Sequence, residues 1–214
     1  LLRSIAGAHV PANGLVKIGT DILYCNESQV NVPTEARRVG YVPQSFALFP
    51  HLTVLANLTY GVDPQQRESA ERDAQAMTLL TDMGCADLAQ HRPPTLSMGQ
   101  RQRIALARAL MISPRCLLLD EPLSALDVSA RRQLRHLLAG YLRVHATPTL
   151  VVTHDERDVT ALCDYVCVLE NGRIVQHGPP THVMKHPEND FVAEFFNHPQ
   201  LDSSEISLPG SDQS

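Results

Sequence analysis

The sequence predicts an α/β fold with a mostly parallel sheet, a small antiparallel β subdomain and an inserted helical subdomain. Three observations carry that reading. Two continuous apolar runs, Cys116–Leu119 and Thr149–Val152, each end on polar residues, Asp120–Glu121 and Thr153–His154. Strands apolar on both faces belong to parallel sheets covered on both sides by helices. Between residues 15 and 24 two short strand-like runs flank Gly19–Thr20–Asp21, which is hairpin patterning. From Pro64 to about Met83, Ala70, Ala74, Met77 and Leu80 recur at helical spacing.

Taken in order, Leu1–Gly7 reads as the last turns of an apolar helix stopped by a glycine. That helix has no start, so the chain is expected to be a fragment or to begin at a displaced start. The turn cluster Pro11–Gly14 precedes strands at Leu15–Ile18 and Ile22–Tyr24, and Arg38–Val42 is a further strand ended by Pro43. The helical subdomain is expected at about residues 53–112. Within it Ser97 precedes a helix over Gln102–Met111, whose Ile104, Leu106, Ala107, Leu110 and Met111 form a broad apolar face. A helix at Ser129–Val144 separates the two apolar strands, and Tyr165–Glu170, Asn171–Gly172 and Arg173–Gln176 form a closing hairpin. Residues 1–197 are read as one domain. Residues 198–214, rich in Ser and Asp from Leu201 on, are read as a disordered tail.

Composition narrows the function classes. The 214 residues are 43% hydrophobic and 19% charged, an ordinary globular balance. A formal net charge of -5 argues against nucleic acid as a partner, because phosphate recognition needs a basic face. Arg101, Arg103 and Arg108, and then Arg131, Arg132 and Arg135, fall in helical patterns and read as solvated helix faces. The five cysteines are an odd number without CxxC pairs, which fits a reducing compartment. Cys163 and Cys167 lie near His154 in sequence, but no fourth ligand is suitably spaced, so core packing is expected of them. No apolar run approaches the roughly 20 residues that span a bilayer, and no signal-peptide pattern opens the chain. Membrane association is therefore expected through a partner.

Ligands of open parallel sheets bind beyond the carboxyl ends of the strands. Gln44, Asp120 with Glu121, and His154 all stand at such ends. Singly, each also suits a strand-end turn or a helix cap. Together they suit phosphoryl transfer to water: Asp120 can hold magnesium through its hydration shell, and Glu121 can orient or deprotonate the water. His154 can bond a terminal phosphate, and Gln44 can contact the metal or the water. Ser97 before an uninterrupted helix is an N-cap, and with Gly99 it leaves backbone N–H groups at the positive end of a helix dipole, an anion site.

These residues resemble the ABC ATPase family, a P-loop NTPase-like core, over about residues 1–197. Leu96–Ser97–Met98–Gly99–Gln100 resembles the signature Leu-Ser-Gly-Gly-Gln, and Cys116–Asp120 resembles Walker B. Glu121 looks like the catalytic glutamate, Ser124–Asp127 like the D-loop, His154 like the switch histidine and Tyr41–Gln44 like the Q-loop. The resemblance implies ATP with Mg²⁺ at Asp120 and Gln44. It also implies a head-to-tail second copy whose ATP meets Ser97, Met98, Gly99 and Gln100, and a D-loop role for Ser124 and Asp127. Met98 departs from the usual glycine and needs a right-handed backbone there.

The segment Phe46–Val54, with Asn57–Leu58, resembles the import branch serving molybdate, sulfate, iron and polyamines. Phe46, Phe49 and Pro50 are then contacts for an integral membrane permease, with a substrate-binding protein as an indirect partner. The place implied is peripheral, on the cytoplasmic side of the inner membrane. The short helical lobe, with no regulatory β domain after Phe196, points toward an oxyanion or metal importer. A family P-loop, Gly-x-x-x-x-Gly-Lys-Ser/Thr, is expected directly before the Leu1 helix, and these 214 residues contain no such pattern. The chain alone is thus expected to lack the first strand and phosphate cradle and not to hydrolyse ATP measurably. The alternatives are a non-hydrolysing cassette or an ABC protein outside transport.

Overall fold

The computed structural model describes residues 1–63, 68–145 and 147–196. The expected tail at 198–214, and the first residues of the helical pattern from Pro64, lie outside the described residues. Two compact units are present, Leu1–Cys163 and the part from Asp164 on.

In the first unit, helix α1 (Leu2–Ala6) stops at Gly7, whose φ of 88° lets its N–H reach back to the helix carbonyls. Strands β1 (Leu15–Ile18), β2 (Asp21–Cys25) and β3 (Val30–Asn31) form an antiparallel sheet in that order. The short β3 carries no period-two signal of its own. Arg37, 1% exposed, donates Nε to the Val32 carbonyl at 2.7 Å, and Nη1 to Ser4 and Ile5 at 2.8 and 2.9 Å. Its Nη2 reaches Asn31 Oδ1 at 3.0 Å. One buried cation thereby joins the carboxyl end of α1 to the antiparallel sheet.

The parallel sheet has the order β4 (Val39–Val42), β5 (Cys116–Asp120), β6 (Thr149–Val152). Its register sets Val42 beside Leu119 and Asp120 beside Val152, so the three carboxyl ends lie level. Leu117, Leu118 and Leu119 are buried, as a central strand requires, whereas β6 is half-exposed because it is the edge strand of this sheet. Gly40 is needed where β4 meets a helix: a Cβ there would stand 2.7 Å from the Ala109 carbonyl.

Helices α2 (Val54–Thr59), α3 (Ser69–Asp82) and α4 (Met98–Met111) separate β4 from β5. They share a core that includes Val54, Leu58, Leu80, Met83, Ile104 and Met111 and continues into Val42, Leu117 and Leu119 of the sheet. Helix α5 (Val128–His145) links β5 to β6, and α6 (Glu156–Leu162) follows β6. Among the described residues no helix is long and apolar enough to cross a membrane.

The second unit pairs β7 (Val166–Glu170) with β8 (Arg173–Gly178) through Asn171 and Gly172, both at positive φ as a tight hairpin turn demands. Helices α7 (Pro180–Lys185) and α8 (Asp190–Phe196) complete it. Buried Gln176 donates to the His186 carbonyl and accepts from the Glu188 N–H, pinning the α7–α8 connection. Cys167 corrects the sequence expectation. It is exposed while its neighbour Val168 is buried, because strand alternation sends successive side chains to opposite faces.

Candidate functional site

At the level carboxyl ends of the parallel strands, Asp120 closes β5. Its Oδ2 accepts a hydrogen bond from the Tyr41 hydroxyl at 3.2 Å. Burial, reinforced by the neighbouring Asp120, pushes the Tyr41 phenol above its usual range, so Tyr41 serves as a neutral donor. Glu121 follows with φ 51°, a left-handed conformation rare outside glycine and held here by its N–H to the Val152 carbonyl at 2.9 Å. His154, two residues past β6, lies with Nδ1 2.8 Å from Glu121 Oε1. Since an ionised carboxylate only accepts, the imidazole donates. The Glu121 side chain is 19% exposed and that of His154 74%, so a sheltered carboxylate stands under an accessible imidazole. Gln44, exposed, stands two residues past β4 at the same end of the sheet. The structure thus directly joins Glu121 to His154 and brings in Tyr41, which the strand pattern alone did not single out as polar machinery.

The loop after Glu121 is tied inward. Ser124 Oγ donates to the Glu121 carbonyl at 3.0 Å, and Asp127 Oδ1 accepts the Ala130 N–H at 2.9 Å in the first turn of α5. Arg131 donates to the carbonyls of Leu123, Ser124 and Leu126 and meets Asp155 at 3.3 Å. Arg135 donates to buried Asp158 at 2.7 Å, and Asp158 also accepts from Thr153 Oγ1. Burial raises the Asp158 pKa, and Arg135 opposes that rise. Arg131 and Arg135 are therefore not solvated helix faces. They fasten the Ser124–Asp127 loop and α6 to α5, and only Arg132 is exposed as expected. Long side chains with three or more donors find partners far away in sequence, which helical spacing cannot show.

The N-terminus of α4 is an N-cap, as the sequence predicts, and it is a full capping box. Ser97 Oγ accepts the Gln100 N–H at 3.3 Å while Gln100 Oε1 accepts the Ser97 N–H at 2.8 Å. Met98 is the first helical residue, and it is not among those at positive φ, so its Cβ is accommodated. The amides of Met98 and Gly99 have no acceptor among the described residues. A Cβ on Gly99 would make only ordinary contact, 3.6 Å from Leu126, so this chain's own packing does not demand glycine there.

Beyond Gln44, Phe46 is 7% exposed and packs in the helical core, so it supports the segment rather than presenting a surface. Phe49 is half-buried and its ring packs tilted against exposed Tyr60, the centroids 4.5 Å apart, and Pro50 is exposed. Asn57, fully buried, holds this segment from below. Its Oδ1 accepts the Phe49 N–H at 2.8 Å, and its Nδ2 donates to the carbonyls of Phe49, Leu52 and Thr53. Asn57→Ala leaves those groups without partners, and a loss of about 2–4 kcal/mol of stability is expected. Urea unfolding checks this; a shift equivalent to less than about 1 kcal/mol would mean water replaces the amide.

Residues 1–124 match the family described as ABC transporter. The chain is 42% identical over 195 residues to the spermidine/putrescine import ATP-binding protein PotA of Methylococcus capsulatus, covering 91% of this chain and 49% of that protein. It is 40% identical over 203 residues to the Fe(3+) ions import ATP-binding protein FbpC of Pseudomonas fluorescens, covering 94% and 56%. With the sulfate/thiosulfate import ATP-binding protein CysA of Mycolicibacterium paratuberculosis the identity is 43% over 197 residues, covering 91% and 52%. The chain spans about half the length of these curated relatives. A dimeric ATP-binding cassette solved in a post-hydrolysis state with ADP and Pi superposes with a TM-score of 0.71 at 28% identity, covering 84% of this chain and 78% of that one. The parallel sheet with its inserted helices and the strand-end cluster, together with a family match over residues 1–124, establish that the chain belongs to the ABC transporter family.

Proposed function

We propose that this chain is the ATP-binding and ATP-hydrolysing part of an importer, working at the cytoplasmic face of the inner membrane on a permease. The observation that carries the reading is the contact of His154 with Glu121 beside Asp120, on a strained backbone at the carboxyl ends of the sheet. Strain of this kind persists where the surroundings over-determine it, and it clusters at sites of chemistry.

Glu121 accepts a proton from water as the water oxygen bonds to the terminal phosphorus, and the bond from that phosphorus to the bridging oxygen breaks to leave ADP. His154 keeps the carboxylate oriented through Nδ1–H, and as the imidazolium, in which both ring nitrogens are donors, it offers Nε2–H to a phosphate oxygen. Magnesium suits Asp120, a hard oxygen donor with one oxygen on Tyr41 and the other without a partner among the described residues, with Gln44 at the same sheet end. Bound there, the ion would neutralise phosphate charge. The uncommitted amides of Met98 and Gly99, and a glycine that this chain's own packing does not need, support close approach of an anion brought by a second copy. Ser97 and Gln100 cap that helix end by bonding each other, while Ser124 and Asp127 shape the loop after Glu121.

Relatives named for polyamine, iron and sulfate import match at the same 40–43% identity. Cargo choice among such chemically different solutes, oxyanion, metal or polyamine, accordingly belongs to the permease and the substrate-binding protein. Phe49, Pro50 and Tyr60 are the permease surface. Expressed from its complete reading frame, the protein is expected to release phosphate from ATP and to co-purify with its permease. Phe49→Ala is expected to weaken that co-purification about tenfold, since a buried aromatic anchor at an interface carries much of its energy. Undiminished capture of the variant would place docking elsewhere.

A further inference from the structure

Arg108 stands on the last turn of α4 and is half-buried. Its Nη1 donates to the Ala47 carbonyl at 2.7 Å and its Nη2 to the Phe46 carbonyl at 2.9 Å. The guanidinium also lies 5.6 Å from the centre of the Phe49 ring. No carboxylate pairs with it among the described residues. Phe46 and Ala47 have φ 63° and 48°, two consecutive non-glycine residues in the left-handed region. Such a pair is held only where neighbours impose it. Both carbonyls that Arg108 grips belong to those two residues, and Asn57 fixes the far side of the segment at Phe49, Leu52 and Thr53. Asn57 makes no bond to residues 46 or 47; the Phe46 N–H bonds the Pro43 carbonyl at 2.9 Å, and the guanidinium fork is what restrains the two carbonyls of the left-handed pair.

We propose that Arg108 is a positioning residue: its fork holds Phe46 and Ala47 left-handed and so sets Phe49 and Pro50 in the conformation that a partner meets, already formed before the partner arrives. The proposal rests on the reading of this segment as the permease surface. Lysine cannot replace the fork, because a single ammonium on a flexible stem does not bridge two carbonyls in a fixed plane. Methionine keeps most of the stem packing and removes every donor.

The test uses the 214-residue chain and three variants, Arg108→Met, Arg108→Lys and Phe49→Ala. Amide hydrogen exchange is read at residues 46–52 and, for comparison, at β5. In Arg108→Met the amides of 46–52 are expected to exchange about tenfold faster while those of Leu117–Leu119 change less than about threefold. Arg108→Lys is expected to give a rise of at least about threefold confined to 46–52, and it decides the matter if the methionine variant does not fold. Unchanged exchange at 46–52, or an equal rise in β5, overturns the proposal, the latter because Arg108 would then only support global stability. Permease capture, measured on the same substitutions in the complete protein, should fall for Arg108→Met as it does for Phe49→Ala. Faster exchange with full capture, where Phe49→Ala does lose capture, also overturns it. If Phe49→Ala keeps full capture, the docking reading fails instead, and the exchange result still decides whether Arg108 holds the segment.

Discussion

Glu121→Gln, in the protein expressed from its complete reading frame, is expected to lower ATP turnover by about 100-fold or more while ATP still binds. The substitution keeps shape and nearly every contact. The backbone N–H of residue 121 still bonds the Val152 carbonyl, and the amide oxygen can still accept from His154 at the 2.8 Å position. Only the ability to take a proton from water is lost. Binding and turnover therefore separate: nucleotide affinity should stay within about threefold of the parent, and phosphate release should not. Turnover that stays within about threefold would show that Glu121 is not the base. The closely shaped variant is preferable to alanine, which would also free His154 of its partner.

Arg37→Ala is expected to cost about 3–5 kcal/mol of stability, enough to lower the melting temperature by roughly 10 °C or more. The guanidinium is 1% exposed and serves the carbonyls of Ser4, Ile5 and Val32 and the amide of Asn31. Alanine leaves those acceptors in a space where the side chain has been removed, and α1 loses the cation at its carboxyl end. Burial already pushes the Arg37 pKa below the ordinary guanidinium value, a sign that water does not share the work of solvation. Lysine should rescue little, since it cannot reach four acceptors on two sides of the pocket. Thermal melting of the alanine and lysine variants decides it, and a shift of under about 3 °C in the alanine variant would mean that the site collapses or hydrates without strain.

Much of the site was readable in the chain because the relevant signals are local. An apolar strand that ends in Asp120 and Glu121, another that ends near His154, and Ser97 ahead of an uninterrupted helix are each written within a dozen consecutive residues. The capping box at Ser97 and Gln100 and the turn at Asn171 and Gly172 follow from the same short-range rules. The arginines were not readable in this way. Arg108 meets Ala47 across 61 positions, Arg37 meets Ser4 across 33, and Arg131 meets Asp155 across 24. A helical period records which face a residue occupies, not what another segment brings to that face.

The sequence by itself determined the α/β class, the apolar parallel strands with the helix between them, the capped start of α4 and the strand-end positions of Gln44, Asp120, Glu121 and His154. Patterns of period two and 3.6, together with parallel pairing of apolar strands, are sufficient to place those groups at one end of a sheet. Only the tertiary structure decided that Phe46 is core while Phe49 and Tyr60 reach the surface, that β6 is a half-exposed edge, that Cys167 faces outward and that Glu121, in a left-handed backbone conformation, bonds His154. Exposure, strain and ion pairing are set by which distant segments pack together, and burial makes each unsatisfied polar group costly enough to select its partner.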